Sequence, residues 1–247
     1  MRKKISWLVL AITGIFTVNG CFIDIDDDDG FFNCVNGNGP IVTETLAVPT
    51  FTGISLNISA QVFITQGPLQ EVVVEGKSNI IDELELDVNS SGVWEIETDH
   101  CVRDIGELKI FITIPDLSVL KISGSGDIVS QNTFVIGDID MNVSGSGNID
   151  VAMEADDIDA SISGSGKVFL EGSADELDFR ISGSGDLRAF GLQCRVANLN
   201  ISGSGDAEVR VSDHLDVRIS GSGDVFYKGN PTLNVQITGS GQVINAN

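Results

Sequence analysis

The sequence predicts an all-β fold: a parallel β-helix, or β-solenoid, of seven coils preceded by a non-repeated β-rich capping region. The first observation is a repeated motif, Ser123-Gly124-Ser125-Gly126, which returns starting at Ser144, Ser163, Ser182, Ser202 and Ser220 and ends with the variant Thr238-Gly239-Ser240-Gly241. The second is its spacing. Successive copies lie 21, 19, 19, 20, 18 and 18 residues apart, a period that suits one coil of a solenoid and is too short for a propeller blade or a helical repeat. The third is strict alternation on both sides of the motif. In the second copy Ile139, Met141, Val143, Gly145, Gly147, Ile149 and Val151 share one parity, while Asp138, Asp140, Asn142, Ser144, Ser146, Asn148 and Asp150 share the other. That is the pattern of strands with one face buried.

Each part of the chain follows from this frame. Residues 119–247 form the seven-repeat solenoid, because no coil can bury its apolar face alone and stacked neighbours share a continuous core. At about 4.8 Å between strands, seven coils make a rod of roughly 30 Å. Glycines at inward positions leave room where the strand bends and permit positive φ at a corner. The serines between them face outward, where hydroxyl ladders from rung to rung favour in-register stacking. Residues 40–118 are β-rich without the repeat: Ile54, Leu56, Ile58, Val62 and Ile64 alternate, strands are expected around Val93 to Ile96 and Leu108 to Ile114, and Asn79 to Leu86 is expected to form a short helix or turn. This part leads into the solenoid and caps it, as irregular terminal repeats do.

The first residues address the chain rather than build it. Arg2, Lys3 and Lys4 precede an apolar stretch from Ile5 to Val18 that is too short to span a bilayer comfortably, so residues 1–20 read as a signal peptide. Val18-Asn19-Gly20-Cys21 resembles the lipobox of bacterial lipoproteins, which implies lipidation of Cys21, and several acyl chains there would anchor the protein to a membrane. Residues 21–39 read as an acidic, Gly- and Asn-rich tether beginning with Asp24-Ile25-Asp26-Asp27-Asp28-Asp29. An acidic run just after the cysteine also resembles the surface-export signal of Bacteroidetes-type lipoproteins. The expected location is therefore the bacterial cell envelope, as an outer-membrane lipoprotein, exposed at the surface if the acidic run is an export signal and not a mere spacer.

Charge and cysteines set further bounds. The net charge is −22, and removing residues 1–20, with three Lys/Arg and no acid, makes it −25. Such a chain repels nucleic acid and anionic lipid heads. Besides Cys21 there are Cys34, Cys101 and Cys194, which in an oxidising compartment allow one disulfide and one free thiol in any of three pairings.

A family resemblance runs from about residue 37 to 247. Gly37-Asn38-Gly39-Pro40-Ile41-Val42-Thr43-Glu44-Thr45, then Phe51-Thr52-Gly53-Ile54, Val62-Phe63-Ile64-Thr65-Gln66-Gly67, and Ile114-Pro115-Asp116-Leu117 leading into the first Ser-Gly-Ser-Gly, resemble the "putative auto-transporter adhesin, head GIN domain" family. The resemblance implies a right-handed β-helix-like fold on bacterial envelope proteins, often lipoproteins, with no established activity and no catalytic or ligand residues to carry over.

The residues themselves point away from catalysis. A β-helix that cleaves polysaccharide needs a unique cluster of acids and bases in a cleft, and the chain has only His100 and His214, while its serines recur as architecture. Ser123 stands where a nucleophile elbow has glycine, and no nucleotide-loop spacing occurs. The most plausible unique cleft is the interruption at Cys101, Arg103, Asp104 and Glu107. Calcium is a weaker alternative: the outward positions after the motif are Asp127, Asn148, Lys167, Asp186, Asp206, Asp224 and Gln242, and Asp186, Asp206 and Asp224 would stack as candidate metal ligands. The leading expectation is a non-catalytic, lipid-anchored adhesin-like binding or structural module without cofactor, whose polar face meets a glycan or a cell-surface protein through many weak contacts. The alternatives are a polysaccharide-modifying enzyme and a calcium-stiffened scaffold. Outward aromatics, which carbohydrate sites use as platforms, are expected at Phe169 and Phe226.

Overall fold

Alternation along the sequence becomes alternation of burial. In the second copy Ile139, Met141, Val143, Ile149 and Val151 are at most 2% exposed. The structure, a computed structural model, describes residues 34–247. The expected signal peptide, Cys21 and the acidic run lie outside the described residues.

Before the repeat come β1 (Val35–Asn36), β2 (Ile41–Leu46), β3 (Gly53–Leu56), β4 (Gln61–Gln66), β5 (Glu71–Lys77), the helix α1 (Ser78–Ile81), β6 (Val93–Ile96), β7 (Val102–Arg103) and β8 (Lys109–Ile114). The repeat supplies β9 (Val119–Gly124), β10 (Asp127–Ser130), β11 (Phe134–Val135), β12 (Ile139–Gly145) and four long bent strands, β13 (Asn148–Gly164), β14 (Lys167–Gly183), β15 (Asp186–Gly203) and β16 (Ala207–Gly221). The last elements are β17 (Val225–Lys228), β18 (Thr232–Gly239) and β19 (Val243–Asn245). Coils stack in parallel, and the motif stays in register throughout: Gly124, Gly145, Gly164, Gly183, Gly203, Gly221 and Gly239 are aligned partners in sequence. The chain is an all-β solenoid of about seven turns, as its sequence predicts.

Two faces enclose the core. The first face carries the strands that lead into the motif, and the second carries those that leave it. Inside, side chains form columns such as Ile122, Val143, Ile162, Ile181, Ile201 and Ile219, and beside it Leu120, Met141, Ala160, Phe179, Leu199 and Val217. Small Ala160 between Met141 and Phe179 lets larger neighbours fill the column. Each fully buried aliphatic side chain contributes about 1.5–3 kcal/mol.

The two glycines of the motif have different reasons. The first is only half-buried: Gly145 has φ +133°, and a Cβ there would lie 2.3 Å from the carbonyl oxygen of Gly124 in the preceding coil. The second is the inward one, since a Cβ on buried Gly147 would lie 2.3 Å from the Gly126 oxygen and 2.7 Å from Ile122 Cγ2. Between them the serine's backbone amide ties the corner, Ser146 donating to Gly124 O at 2.8 Å and Ser165 to Gly145 O at 2.8 Å. The hydroxyl ladder expected between the motif serines does not occur among the described residues; the links from coil to coil at this corner are those of the backbone.

The non-repeated part departs from simple stacking. Strand β3 pairs in parallel with β6 on one side and β9 on the other, and β4 likewise with β8 and β10. The first coil in sequence is therefore the second in space. Strand β5 runs antiparallel to β8, and β2 antiparallel to β5, closing the end of the second face. Where a short helix or turn is expected over Asn79 to Leu86, the chain forms the four-residue helix α1 over Ser78–Ile81, which buries Ile80 and Ile81. Trp94, fully buried, packs 5.5 Å from Phe51 and donates to Glu85 O at 3.0 Å.

Of the tether expected over residues 21–39, residues 34–39 are held against the body. Cys34 forms a disulfide with Cys101, β1 pairs with β7, and Asn79 donates to Asn36 O at 2.7 Å while accepting from Gly39 N at 2.8 Å. The open choice among three pairings is thus resolved as Cys34–Cys101. Cys194 is the free thiol; it is buried, donates to Arg210 O at 3.2 Å, and burial pushes its pKa up to about 12, which leaves it protonated and inert.

Candidate functional site

Period-2 alternation that sends Val62 and Ile64 inward sends Phe63 outward, and the same holds for Phe111 between Ile110 and Ile112. Because β4 and β8 are in register, Phe63 and Phe111 are direct neighbours, stacked with ring centroids 5.1 Å apart and planes 15° from parallel. Along the second face the row continues through Val129, Asp150 and Phe169. Two residues earlier on each strand lies a polar row, Lys109, Gln61, Asp127, Asn148 and Lys167. The space between them is a groove of 350 Å³, bounded by Phe63 at one end and Phe169 at the other.

This groove offers apolar ring faces beside amide, carboxylate and ammonium groups. Asn148 Nδ2 donates to Asp127 Oδ1 at 2.7 Å, which fixes the amide. Asp150, between Val129 and Phe169, has its carboxyl pKa raised, first by desolvation against these neighbours and second by the negative charge of Glu171. Lys167 reaches Asp186 Oδ2 at 3.4 Å, and Arg188 joins that cluster with Asp186 and Glu208. A larger groove of 420 Å³ on the first face has another character: Asp138, Asp140, Asp157, Asp159, Glu176 and Asp178 make it acidic.

The residues singled out by sequence fall as follows. Phe169 lines the groove, and Phe226 lies on the same row three coils further along, aligned with Glu208. Phe63 and Phe111 are not among the expected residues; their parity is legible in the sequence, but they lie in the non-repeated part, outside the Ser-Gly-Ser-Gly coils. The column Asp186, Asp206 and Asp224 acts as a ladder: each Oδ1 accepts the backbone amide of the next coil, from Asp206 at 3.3 Å, Asp224 at 2.9 Å and Gln242 at 2.8 Å. No group of three or more metal-capable side chains converges among the described residues. Around the expected unique cleft, Cys101 is in the disulfide, Asp104 pairs with Lys77 Nζ at 2.9 Å, Glu107 lies 3.8 Å from Lys109 Nζ, and Arg103 aligns with Asn36. His100 is tied to Glu83 Oε2 at 2.8 Å. No helix among the described residues is long and apolar enough to cross a membrane.

Fold and groove together define a parallel β-solenoid with a flat outer face carrying a stacked aromatic pair. Residues 50–231 match the family described as "Putative auto-transporter adhesin, head GIN domain", and the chain belongs to that family. No curated protein matches it. Among solved structures it is similar to a putative adhesin of Bacteroides fragilis, with 24% identity and a TM-score of 0.79 over 85% of this chain and 99% of that one, a likeness of fold. A putative adhesin of Parabacteroides distasonis shares 26% identity with a TM-score of 0.72 over 86% and 99% of the two chains. A third, described as a putative lipid binding protein of Parabacteroides distasonis, shares 25% identity with a TM-score of 0.71 over 85% and 99%.

Proposed function

We propose that the protein is a non-catalytic binding module of the bacterial cell envelope, anchored through acyl chains on Cys21, that holds carbohydrate along the groove of its second face. One observation carries the reading: Phe111, Phe63 and Phe169 lie outward in one row, with Gln61, Asp127, Asn148 and Lys167 in the next. A sugar ring has an apolar C–H face that stacks on an aromatic ring and equatorial hydroxyls that bond to amides and carboxylates, so two rows of this composition suit it. The mixed charge of the groove suits a neutral ligand, whereas the acidic groove of the first face repels anions. The adhesin names of the family and of the 26% identical relative from Parabacteroides distasonis support the assignment to adhesion.

The test is a glycan array probed with residues 34–247, followed by titration of the best ligand. Phe63→Ala and Phe169→Ala are expected to weaken binding at least tenfold, about 1.4 kcal/mol, with unchanged melting, and Phe226→Ala is expected to leave it intact. Binding that survives loss of both Phe63 and Phe169 would remove the groove from the reading. Retention on phospholipid vesicles without glycan binding would favour a lipid ligand, and release of shortened glycan would favour the polysaccharide-modifying enzyme.

A further inference from the structure

At the far end of the rod the aliphatic columns of the interior end in exposed side chains. Leu233, Val235 and Ile237 of β18 align with Leu215, Val217 and Ile219 of β16, which are at most 2% exposed, yet they are themselves 42%, 39% and 42% exposed. Strand β18 is registered with β16 along one edge and β19 with β17 along one edge, so the outer edges of both present free backbone donors and acceptors. Proteins ordinarily blunt such an edge with charge. Here charge has been taken away: residues 229–247 contain no Asp, Glu, Lys or Arg, and where β16 has Asp216 and Arg218 the aligned positions of β18 are Asn234 and Gln236.

The order of residues in β18 is also self-complementary. Thr232-Leu233-Asn234-Val235-Gln236-Ile237-Thr238 reads nearly the same in both directions about Val235. We propose that two copies of this chain join tail to tail through β18, antiparallel about a two-fold axis at Val235. In that register Leu233 faces Ile237 of the other copy, Val235 faces its own counterpart, Asn234 faces Gln236, and Thr232 faces Thr238. Opposite residues of an antiparallel pair lie on the same side of the sheet, so the two apolar interiors become one and the exposed aliphatic residues are covered. The chain has a net charge of −22, which opposes association elsewhere on the surface, and the uncharged terminal coil removes that repulsion at this end alone.

The contact is isologous and closes at two copies. Growth into a filament would need the opposite end to receive β18, and that end is covered by β5, β2, α1 and the bridges Leu84 to Thr98 and Val88 to Trp94. A tail-to-tail pair also turns both Cys34 ends outward. With the proposed anchor at Cys21, this is the arrangement of two copies held on facing surfaces, a consequence that rests on the anchor while the pairing itself does not.

Analytical ultracentrifugation of residues 34–247 across a concentration series tests the pairing, with circular dichroism melting to confirm folding. The wild type is expected to sediment as a dimer. Val235→Lys, which sets two ammonium groups against each other on the axis, is expected to be monomeric. Because that change also touches the interior, two double variants at the outward positions test the register. Asn234→Lys with Gln236→Lys puts like charges opposite each other in both pairs and is expected to give a monomer. Asn234→Lys with Gln236→Glu puts opposite charges there and is expected to remain dimeric. A wild type that stays monomeric to its solubility limit overturns the proposal and leaves the end to another segment or protein. A dimer that persists in the double-lysine variant overturns it equally, by placing the contact elsewhere.

Discussion

The two ends of the rod meet the same physical problem differently. A stacked coil buries one side of itself against its neighbour, so the repeat can extend the solenoid and cannot finish it. At the N-terminal end the interior is finished by chain that leaves the repeat: β5 and β2 reverse direction, α1 lays Ile80 and Ile81 over the core, and Trp94 and Phe51 fill the corner. At the C-terminal end β18 and β19 continue the parallel stack without such a reversal, and among the described residues the aliphatic columns end at Leu233, Val235 and Ile237, which are 42%, 39% and 42% exposed. The contrast teaches that capping can be done by covalent, non-repeated structure or by shedding charge and leaving a sticky edge, and that the first requires long-range contacts that the second avoids.

Breaking the covalent clasp should show how far the N-terminal end depends on it. The Cys34–Cys101 bond closes a separation of 67 residues, for which the loop-entropy model gives about 4 kcal/mol. Cys34→Ala with Cys101→Ala is expected to lower stability by up to that amount in denaturant titration, with the loss at the cap. The double variant should leave the C-terminal coils protected in hydrogen exchange; equal loss at both ends would mean that the rod melts as one unit.

A pair of glycines sharpens the comparison within the repeat. Gly124 and Gly164 have the same backbone conformation, φ +141° and +140°, but a Cβ on Gly124 meets nothing within 4 Å, whereas on Gly164 it lies 2.3 Å from Gly145 O. The coil beneath Gly124 belongs to the non-repeated part and carries no motif. Gly124→Ala is expected to cost about 1 kcal/mol, from the strained φ alone, and Gly164→Ala about 3 kcal/mol, from strain plus contact. Equal costs in thermal unfolding would show that stacking distance plays no part in the choice of glycine.

What the sequence made legible follows the range of the interactions. In β13 to β16 the parity of each residue and the motif's return settle which side chains are buried, because stacked coils repeat one local solution. The position of β3 between β6 and β9, and the reversal of β5, rest on pairings across tens of residues that no local pattern encodes. The disulfide was likewise undecidable, since spacing alone does not bring Cys34 beside Cys101. The site was half legible. Phe169 follows from parity in the repeat, and Phe63 and Phe111 were open to the same argument, but their stacking required knowing that β4 and β8 are neighbours in register. The aspartate column adds a role that its spacing does not announce: Oδ1 of each carboxylate accepts the next coil's backbone amide.

The smallest effect should come from the titratable contact at the capped end. His100 is 62% exposed on its side chain, yet its pKa is raised above the ordinary value of 6.5, first by the hydrogen bond to Glu83 and then by the negative charges of Asp99 and Glu83. A raised folded value means that the folded state holds the proton more tightly than the unfolded chain does. The stabilisation is therefore fully present below the unfolded value and is lost as pH rises through the folded one. Exposure and salt screen the pair, so the gain is slight. An NMR titration of the His100 ring should place its midpoint above 6.5, and Glu83→Gln should bring it back toward that value, because the leading cause is then removed. A midpoint that ignores Glu83→Gln would leave Asp99 as the dominant partner and take the turn after α1 out of the cap's electrostatics, since Glu83 is what ties His100 to that turn, where its own carbonyl also receives the amide of Asp99 at 2.9 Å.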